Sequence, residues 1–435
     1  MITTLYVTAD AAYADGSYRP IRPPAPGDGW ADVLQRAASV IRPDGVLLLS
    51  AEAATLYGYA DTNPSALDAP ARAAVPSLEA ARADGWKVSR LDAWTTFHGP
   101  GKPALHVGVL DWCEREDLPG LLDWHGPLDQ AALIHAWYLE YGVPWAGNPA
   151  VVGITLARHL AHGPHDKRHG TFARPRWQLP PDGTRDAWHN AESFRGTSWR
   201  PDTSAPHPYQ HTFDANRQWL AAAGVTPLAW DALEHTGPRP FDPKAAGMWL
   251  VEFERWPHDQ VLPDPAGPRA KGGRACWVPT SRLGLVDQLA QRSDQWQHPG
   301  YRVLDSYTAP GYTVLKPWAD GIRRVLDDQD LSGAVKAVYA KFFTSISRPD
   351  AHGRNRRIYR PDWAAGVVGM AQANLWRKLF KVGTTCGRWP VRISADAVAY
   401  GSDAADWHDD VPEGLELSDQ IGKFKHADTR ALEAV

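Results

Sequence analysis

The chain has 435 residues, 43% hydrophobic and 22% charged, with a formal net charge of −4 at pH 7. This length suffices for two or three domains with a substantial core, and the slightly negative charge excludes a general nucleic-acid binder while allowing a local basic channel. Three widely spaced cysteines exclude a disulfide framework or a Cys-rich zinc site, which fits a reducing compartment. No signal-peptide pattern opens the chain and no apolar run approaches 18 residues, so we expect a cytoplasmic protein without membrane segments.

The first 165 residues predict strands first and helices after them. Strands are expected at 4–7, 45–50, 86–94 and 104–110, with a Gly- and Pro-containing turn at 99–101. Helices are expected at 30–41, 129–141 and 151–160. This order is typical of an α+β or α/β domain, which we place at 1–165. A Pro-, Gly- and Arg-rich connection follows, and we take 166–210 as a linker and 211–435 as the second domain.

Three stretches of the second domain carry the chemistry. In the first, an aromatic residue leads into Asp214, and a helical run follows. In the second, apolar residues at helical spacing predict a helix over 333–344 that contains Lys336 and Phe343, which lie two turns apart and therefore share one face. In the third, the alternating run at 391–400 predicts a hairpin with Asp396 at its turn, where a carboxylate could bind Mg²⁺ or could be an ordinary turn residue.

An Asp, a Lys on a helix and an Asp in a hairpin stand in the order of motifs A, B and C of family B DNA polymerases. The chain resembles the protein-primed branch of that family over residues 210–430, as a divergent, thumb-less relative. The many tryptophans, with abundant Ala, Arg and Pro, suggest a high-GC source such as an actinobacterial or phage replicon. The implied fold class is α+β: a polymerase palm and fingers behind an N-terminal RNase H-like, exonuclease-like α/β domain.

The resemblance implies roles for single residues. Asp214 and Asp396 match the metal-binding acids of motifs A and C, for Mg²⁺ or Mn²⁺. Lys336 matches the motif B lysine that contacts the incoming triphosphate. Trp219 falls where a tyrosine senses the sugar, and Phe343 matches the motif B tyrosine. The implied activity is two-metal phosphoryl transfer from a dNTP to a hydroxyl primer, with DNA, dNTP and a terminal or priming protein as partners.

Basic residues after motif B and near the C-terminal end suit phosphates and unstacked bases. A solvated loop is the alternative for such a run of charges. The candidate DNA contacts are Arg354, Arg356, Arg357, Arg360, Lys423 and Lys425. Arg377, Lys378 and Lys381, on the helix expected before motif C, extend this positive surface.

Several departures from the family pattern favour a second interpretation. Ser394 replaces the first motif C Asp, and Ala340 replaces the motif B Asn. A proofreading exonuclease needs an Asp-x-Glu on its first core strand, whereas the strand at 45–50 is followed by Glu52 without the Asp. We therefore expect the N-terminal domain to be inactive or unrelated. The alternative function is a non-catalytic, polymerase-derived DNA-binding protein associated with telomeres or replication.

Overall fold

The computed structural model describes residues 2–17, 19–21, 23, 25, 29–88, 93–99, 104–113, 126–160, 188, 198–201, 207–267, 274–326, 331–347 and 359–432. The chain forms two compact units, Met1–Leu160 with Gly321–Phe342, and Ala161–Asp320 with Phe343–Val435. The predicted domains 1–165, 166–210 and 211–435 stay predictions, because most of the linker lies outside the described residues. None of the helices in the described ranges combines the length and hydropathy that a bilayer crossing requires.

The first unit is built on a six-stranded sheet in the order β3-β2-β1-β4-β6-β5. Its strands are β1 (Ile2–Val7), β2 (Ala12–Ala14), β3 (Pro20–Ile21), β4 (Ile41–Leu49), β5 (Trp94–His98) and β6 (Ala104–Val109). Strand β4 is parallel to both β1 and β6, and the outer pairings are antiparallel. The Val and Leu side chains of β4 are buried, as expected for a central parallel strand.

Six α-helices lie in the described residues of the N-terminal segment of this unit. They are α1 (Trp30–Val40), α2 (Ala51–Leu56), α3 (Ala69–Ala73), α4 (Pro76–Ala83), α5 (Pro127–Tyr141) and α6 (Pro149–Leu160). Of the strand predicted at 86–94, residues 89–92 lie outside the described residues, Trp94 begins β5 and Lys87 forms an isolated bridge to His98. The strand predicted at 45–50 is confirmed as the buried end of β4. That strand is the fourth, and Glu52 lies in the first turn of α2 behind the capping Ser50.

The second unit contains two five-stranded sheets. One has the order β10-β13-β11-β12, with β9 paired to β13, and consists of β9 (Leu228–Ala229), β10 (Glu234–His235), β11 (Ala245–Phe253), β12 (Ala275–Pro279) and β13 (Tyr301–Tyr312). The other has the order β16-β8-β15-β14-β7 and consists of β7 (Ser198–Trp199), β8 (Tyr209–Ala215), β14 (Arg392–Ser394), β15 (Ala397–Ser402) and β16 (Phe424–Ala431). The strands of this second sheet are antiparallel throughout.

The α-helices described after residue 210 are α7 (Gln218–Ala223), α8 (Thr280–Ala290), α9 (Lys316–Arg324), α10 (Ser332–Ser347) and α11 (Pro361–Cys386). Residues 321–342 of α9 and α10 belong to the first unit. The structure therefore confirms the helices predicted around Lys336 and before the hairpin. Helix α11 begins with Pro361 in its first turn and ends at Gly387, whose left-handed φ of 75° suits a glycine.

The core of the β8 sheet lies under α11. Phe213 of β8 and Val398 of β15 are fully buried together with Ala373 and Leu379 of α11. Burying one side chain of the size of Phe213 stabilises the fold by about 1.5–3 kcal/mol. This packing fixes which face of β8 turns inward and leaves the opposite face for polar residues.

Candidate active site

Asp214 stands near the end of β8, an interior strand that lies between β16 and β15. Along this strand His211, Phe213 and Ala215 are buried, while the residues between them are only partly buried. Because successive side chains of a strand point to opposite faces, Asp214 lies on the face away from α11. The apolar packing of Phe213 therefore determines the orientation of the carboxylate.

Asp396 lies in the tight turn that joins β14 to β15. Ser394 pairs with Ala397, so the turn consists of Ala395 and Asp396, and Ala395 adopts a left-handed φ of 55°. The Ala215 backbone N–H donates a hydrogen bond of 2.9 Å to the Asp396 carbonyl, and Ala397 stands opposite Asp214 in the ladder. The structure thus brings the two acids predicted from the sequence to the same end of one sheet.

The two carboxylates influence each other electrostatically. The pKa of Asp396 is raised above its ordinary value, first by desolvation of its carboxyl and then by the negative charge of Asp214. Lys425 opposes this rise. It stands opposite Asp214 on β16 and is exposed, so its ammonium is a local counter-charge for the pair.

The turn after Asp214 is held by a neighbouring loop. The Asn216 N–H donates to the Lys423 carbonyl at 2.7 Å, and the Gly422 N–H donates to the Asn216 carbonyl at 2.7 Å. The Asn216 side chain donates to the carbonyls of Asp419 and Gln420. Arg217 follows with a left-handed φ of 52° and leads into α7. Sequence reasoning did not single out Asn216, although its place directly after the motif could have indicated a positioning role.

The aromatic residues predicted near the sugar lie together. The rings of Trp219 and Phe343 are 6.4 Å apart, edge to face at 85°. Phe343 is fully buried and also contacts the Trp318 ring at 5.8 Å. Lys336 has a different environment from Phe343 although it shares its helix, since it is exposed and belongs to the first unit. Its role stays a prediction.

The proposed DNA contacts differ in their surroundings. Arg354, Arg356 and Arg357 lie outside the described residues. Lys423 forms an ion pair with Glu416, and Lys425 is exposed beside the acids.

The interpretation of Arg360 as a DNA contact was wrong. Its side chain is 2% exposed and pairs with Asp362 at 2.6 Å. Its remaining donors reach the carbonyls of Ala229, Trp230 and Asp231 at 2.8–3.3 Å. Because this guanidinium is buried and bonded inside the protein, a phosphate cannot reach it.

The donor set at Asp214 and Asp396 fits a Mg²⁺ or Mn²⁺ ion. Mg²⁺ is bound through one or two carboxylates and fills its other positions with water and substrate phosphates. The like charges that raise the pKa of Asp396 would be relieved by a cation between them. Within the described ranges no group of three or more His, Cys, Asp or Glu side chains is arranged to hold a metal.

Comparisons with known proteins give a match at the level of structure. No protein-family model matches the sequence, and no curated protein matches it either. This chain is similar in structure to phi29 DNA polymerase in a ternary complex with primer-template DNA and incoming nucleotide substrates. The TM-score is 0.51 and the sequence identity is 10%, and the match covers 99% of this chain and 85% of that chain. The chain has the fold of phi29 DNA polymerase.

A second phi29 polymerase structure, a post-translocation binary complex with primer-template DNA, is similar with a TM-score of 0.46 and 11% identity. It covers 91% of this chain and 78% of that chain. The match to the ternary complex confirms the mixed α+β polymerase fold predicted from the sequence. The domain layout, the absence of a thumb and membership of the protein-primed branch stay predictions.

Proposed function

We propose that this chain is a DNA polymerase-like nucleotidyltransferase that transfers a nucleotide from a dNTP to a hydroxyl primer. The observation that carries the proposal is the pairing of Asp214 and Asp396 at the end of adjacent strands, where each charge is felt by the other. The phi29 polymerase fold supports it. Phosphoryl transfer depends on charge stabilisation and positioning, and an acidic pair on a rigid sheet supplies a place for both.

In this proposal the two acids would hold Mg²⁺ or Mn²⁺. Such ions, when bound, neutralise charge on the attacking and leaving oxygens. Asp214 and Asp396 orient the site, and the ladder bond from Ala215 to the Asp396 carbonyl keeps them adjacent. Lys336 contacts the triphosphate. Trp219, braced by the Phe343 ring, packs against the sugar.

The remaining parts of the chain take supporting roles in the proposal. DNA is bound by Lys423 and Lys425 together with Arg354, Arg356 and Arg357, in the cytoplasm, and a terminal or priming protein supplies the hydroxyl. The first unit is an exonuclease-like domain without proofreading. Its support is that β1 (Ile2–Val7), the first core strand of the sheet, carries no acidic residue.

A non-catalytic DNA-binding protein is the second candidate. Two observations favour it: Ser394 stands at an exposed place beside the acidic pair, and the described residues offer only two clustered carboxylates there. In this case the palm would be kept for its shape, and the acids would have no role in chemistry.

The deciding experiment is incorporation of labelled dNTP with Mg²⁺ or Mn²⁺, with and without a primed template. We expect Asp214→Asn and Asp396→Asn each to lose about 100-fold or more of the activity, since each removes charge that acts on the transferring group. Asp409→Asn is the matched control, because this acid is exposed and lies in the short 3-10 helix Trp407–Asp410, outside the strands that carry the pair. Activity that needs no template would identify a terminal transferase. DNA binding without incorporation, unchanged in both variants, would establish the second candidate.

A further inference from the structure

A cavity of about 280 Å³ lies behind the acidic pair. It is bordered by α7, α11 and the loop before β16, and its polar lining consists of Gln218, Asn374, Arg377 and Lys378. We call this cavity, with its four polar residues, the basic cavity. Helix α11 packs on the Phe213 face of β8, so the cavity belongs to the helical side of the sheet, whereas Asp214 lies on the other face.

The two cations of the basic cavity have only neutral partners. Arg377 donates to the Gln288 side-chain oxygen at 2.8 and 3.2 Å and to the Asn374 side-chain oxygen at 3.2 Å. Lys378 donates to the Gly422 carbonyl and lies 5.5 Å from the centre of the Phe424 ring. In the part of the chain that the structure describes, neither is in an ion pair with a carboxylate. The nearby Glu416 is engaged by Lys381 and Lys423.

These cations are also partly desolvated. Burial lowers the pKa of Arg377 and of Lys378, and Lys423 lowers that of Lys378 further. A desolvated cation without a counter-charge costs free energy, and this cost is offset when an anion joins it. The arrangement is therefore incomplete without a negative group.

Gln218 gives an independent indication. Its side-chain oxygen is buried and has no hydrogen-bond partner among the described residues. Buried polar atoms without partners are rare in folded proteins and mark a place for a missing group. Since the oxygen and nitrogen of an amide are assigned from their surroundings, a turned Gln218 amide can donate two hydrogen bonds into the cavity.

We propose that the basic cavity binds a phosphate group. Arg and Lys side chains with amide donors are the usual partners of phosphate oxygens. The volume lies just below the range of about 300–1,000 Å³ that holds whole small-molecule ligands, so it suits a compact anion such as phosphate or pyrophosphate, or one phosphate of a strand. Because Ala215 and Gln218 both line the cavity, the bound group would brace the turn that follows Asp214.

The test is binding of inorganic phosphate and pyrophosphate to the full chain, measured by calorimetry in EDTA. We expect Arg377→Met and Lys378→Met each to weaken binding at least tenfold. Arg302→Met and Lys316→Met are matched controls, because each removes one charge from an exposed, carboxylate-paired cation outside the cavity. Their affinities should equal that of the wild type.

A second arm identifies the source of the phosphate. Oligonucleotides with and without a 5′-phosphate compete against pyrophosphate. If only the 5′-phosphorylated oligonucleotide displaces pyrophosphate, the cavity binds the end of a strand. If neither oligonucleotide displaces it, the cavity binds a free anion.

Thermal unfolding of the wild type keeps the proposal testable if a variant does not fold. The Tm in phosphate should be higher than the Tm in chloride at equal ionic strength. The same Tm in both salts would overturn the proposal. Binding that survives in both cavity variants would overturn it too. Asp214→Asn should bind phosphate normally, so failure of the cavity and failure of the proposed activity are distinguishable.

Discussion

Arg360 illustrates how burial decides the role of a charged residue. It stands at the end of an Arg-rich run that predicts a nucleic-acid surface, yet it is 2% exposed and stacks its guanidinium 4.4 Å from the centre of the Trp363 ring. The buried arginine ties the start of α11 to the chain around Ala229 through hydrogen bonds to backbone carbonyls. The residue belongs to the core of the second unit.

For Arg360→Met we expect a loss of about 3–5 kcal/mol in the free energy of unfolding, because Asp362 is left as a buried charge without its partner. Urea denaturation measures this change. Arg302→Met is the control and should cost less than about 1 kcal/mol, as its pair with Glu252 is exposed. Unchanged stability together with weaker DNA binding would return Arg360 to the nucleic-acid surface.

Asp396 is expected to limit stability. Its pKa is raised in the folded protein, so the folded state binds a proton more tightly than the unfolded state. Stability therefore falls as the pH rises from about 4 through the raised pKa. We expect Asp396→Asn to raise Tm at pH 7 and to leave it unchanged near pH 3, in thermal scans beside Asp409→Asn. A Tm lowered by the substitution at pH 7 would mean that the carboxylate repulsion is absent.

At the scale of elements, the β14–β15 hairpin carries local strain. Ala395 occupies the left-handed region at φ 55°, which costs an L-residue about 1–2 kcal/mol and a glycine little. The adjacent ladder, in which Arg392, Ile393 and Ser394 pair with β15, holds the turn in place. The strain lies directly beside Asp396.

We expect Ala395→Gly to increase the free energy of unfolding by up to about 1 kcal/mol, because relief of the left-handed strain exceeds the backbone entropy that glycine loses. Ala399→Gly in the extended strand β15 is the control and should lower it by about 0.5–1 kcal/mol. Chemical denaturation measures the free energy of unfolding of both variants. An equal decrease in the two variants would show that the turn is unstrained.

At the scale of the whole molecule, two partly buried groups give the units opposite responses to pH. In the first unit, burial lowers the pKa of His106 from 6.5 to about 4, so stability falls as the pH drops through that window. In the second unit, burial raises the pKa of Asp264 from 3.8 to about 7 against the opposing charge of Arg282, so stability falls as the pH rises through that window.

Thermal unfolding of the full chain between pH 5 and pH 8 tests these signs. The Tm of Asp264→Asn relative to wild type should increase toward pH 8, whereas that of His106→Gln should increase toward pH 5. If the differences in Tm between each variant and the wild type stay constant with pH, neither group titrates in these windows.

Local pattern predicted much of this molecule. Period-3.6 apolar residues indicated α10 and α11, and alternation with a turn indicated the β14–β15 hairpin, because these signals lie within one element. The proximity of Asp214 and Asp396 came from order and resemblance. Strand order in the first unit and the burial of Arg360 depend on contacts between distant residues, which no local period encodes. The hydrogen bonds that hold Asn216 all reach backbone groups of the distant loop at 419–423, which no local pattern encodes.

The hydrogen bond from the Ala215 N–H to the Asp396 carbonyl joins the backbone next to Asp214 to the backbone of Asp396. That amide lies on the interior strand β8, while its acceptor lies in a two-residue turn. Its exchange with deuterium therefore requires the turn to move away from β8. The rate of exchange at this one position measures how often the two carboxylates separate, and any ligand that holds them together should slow it.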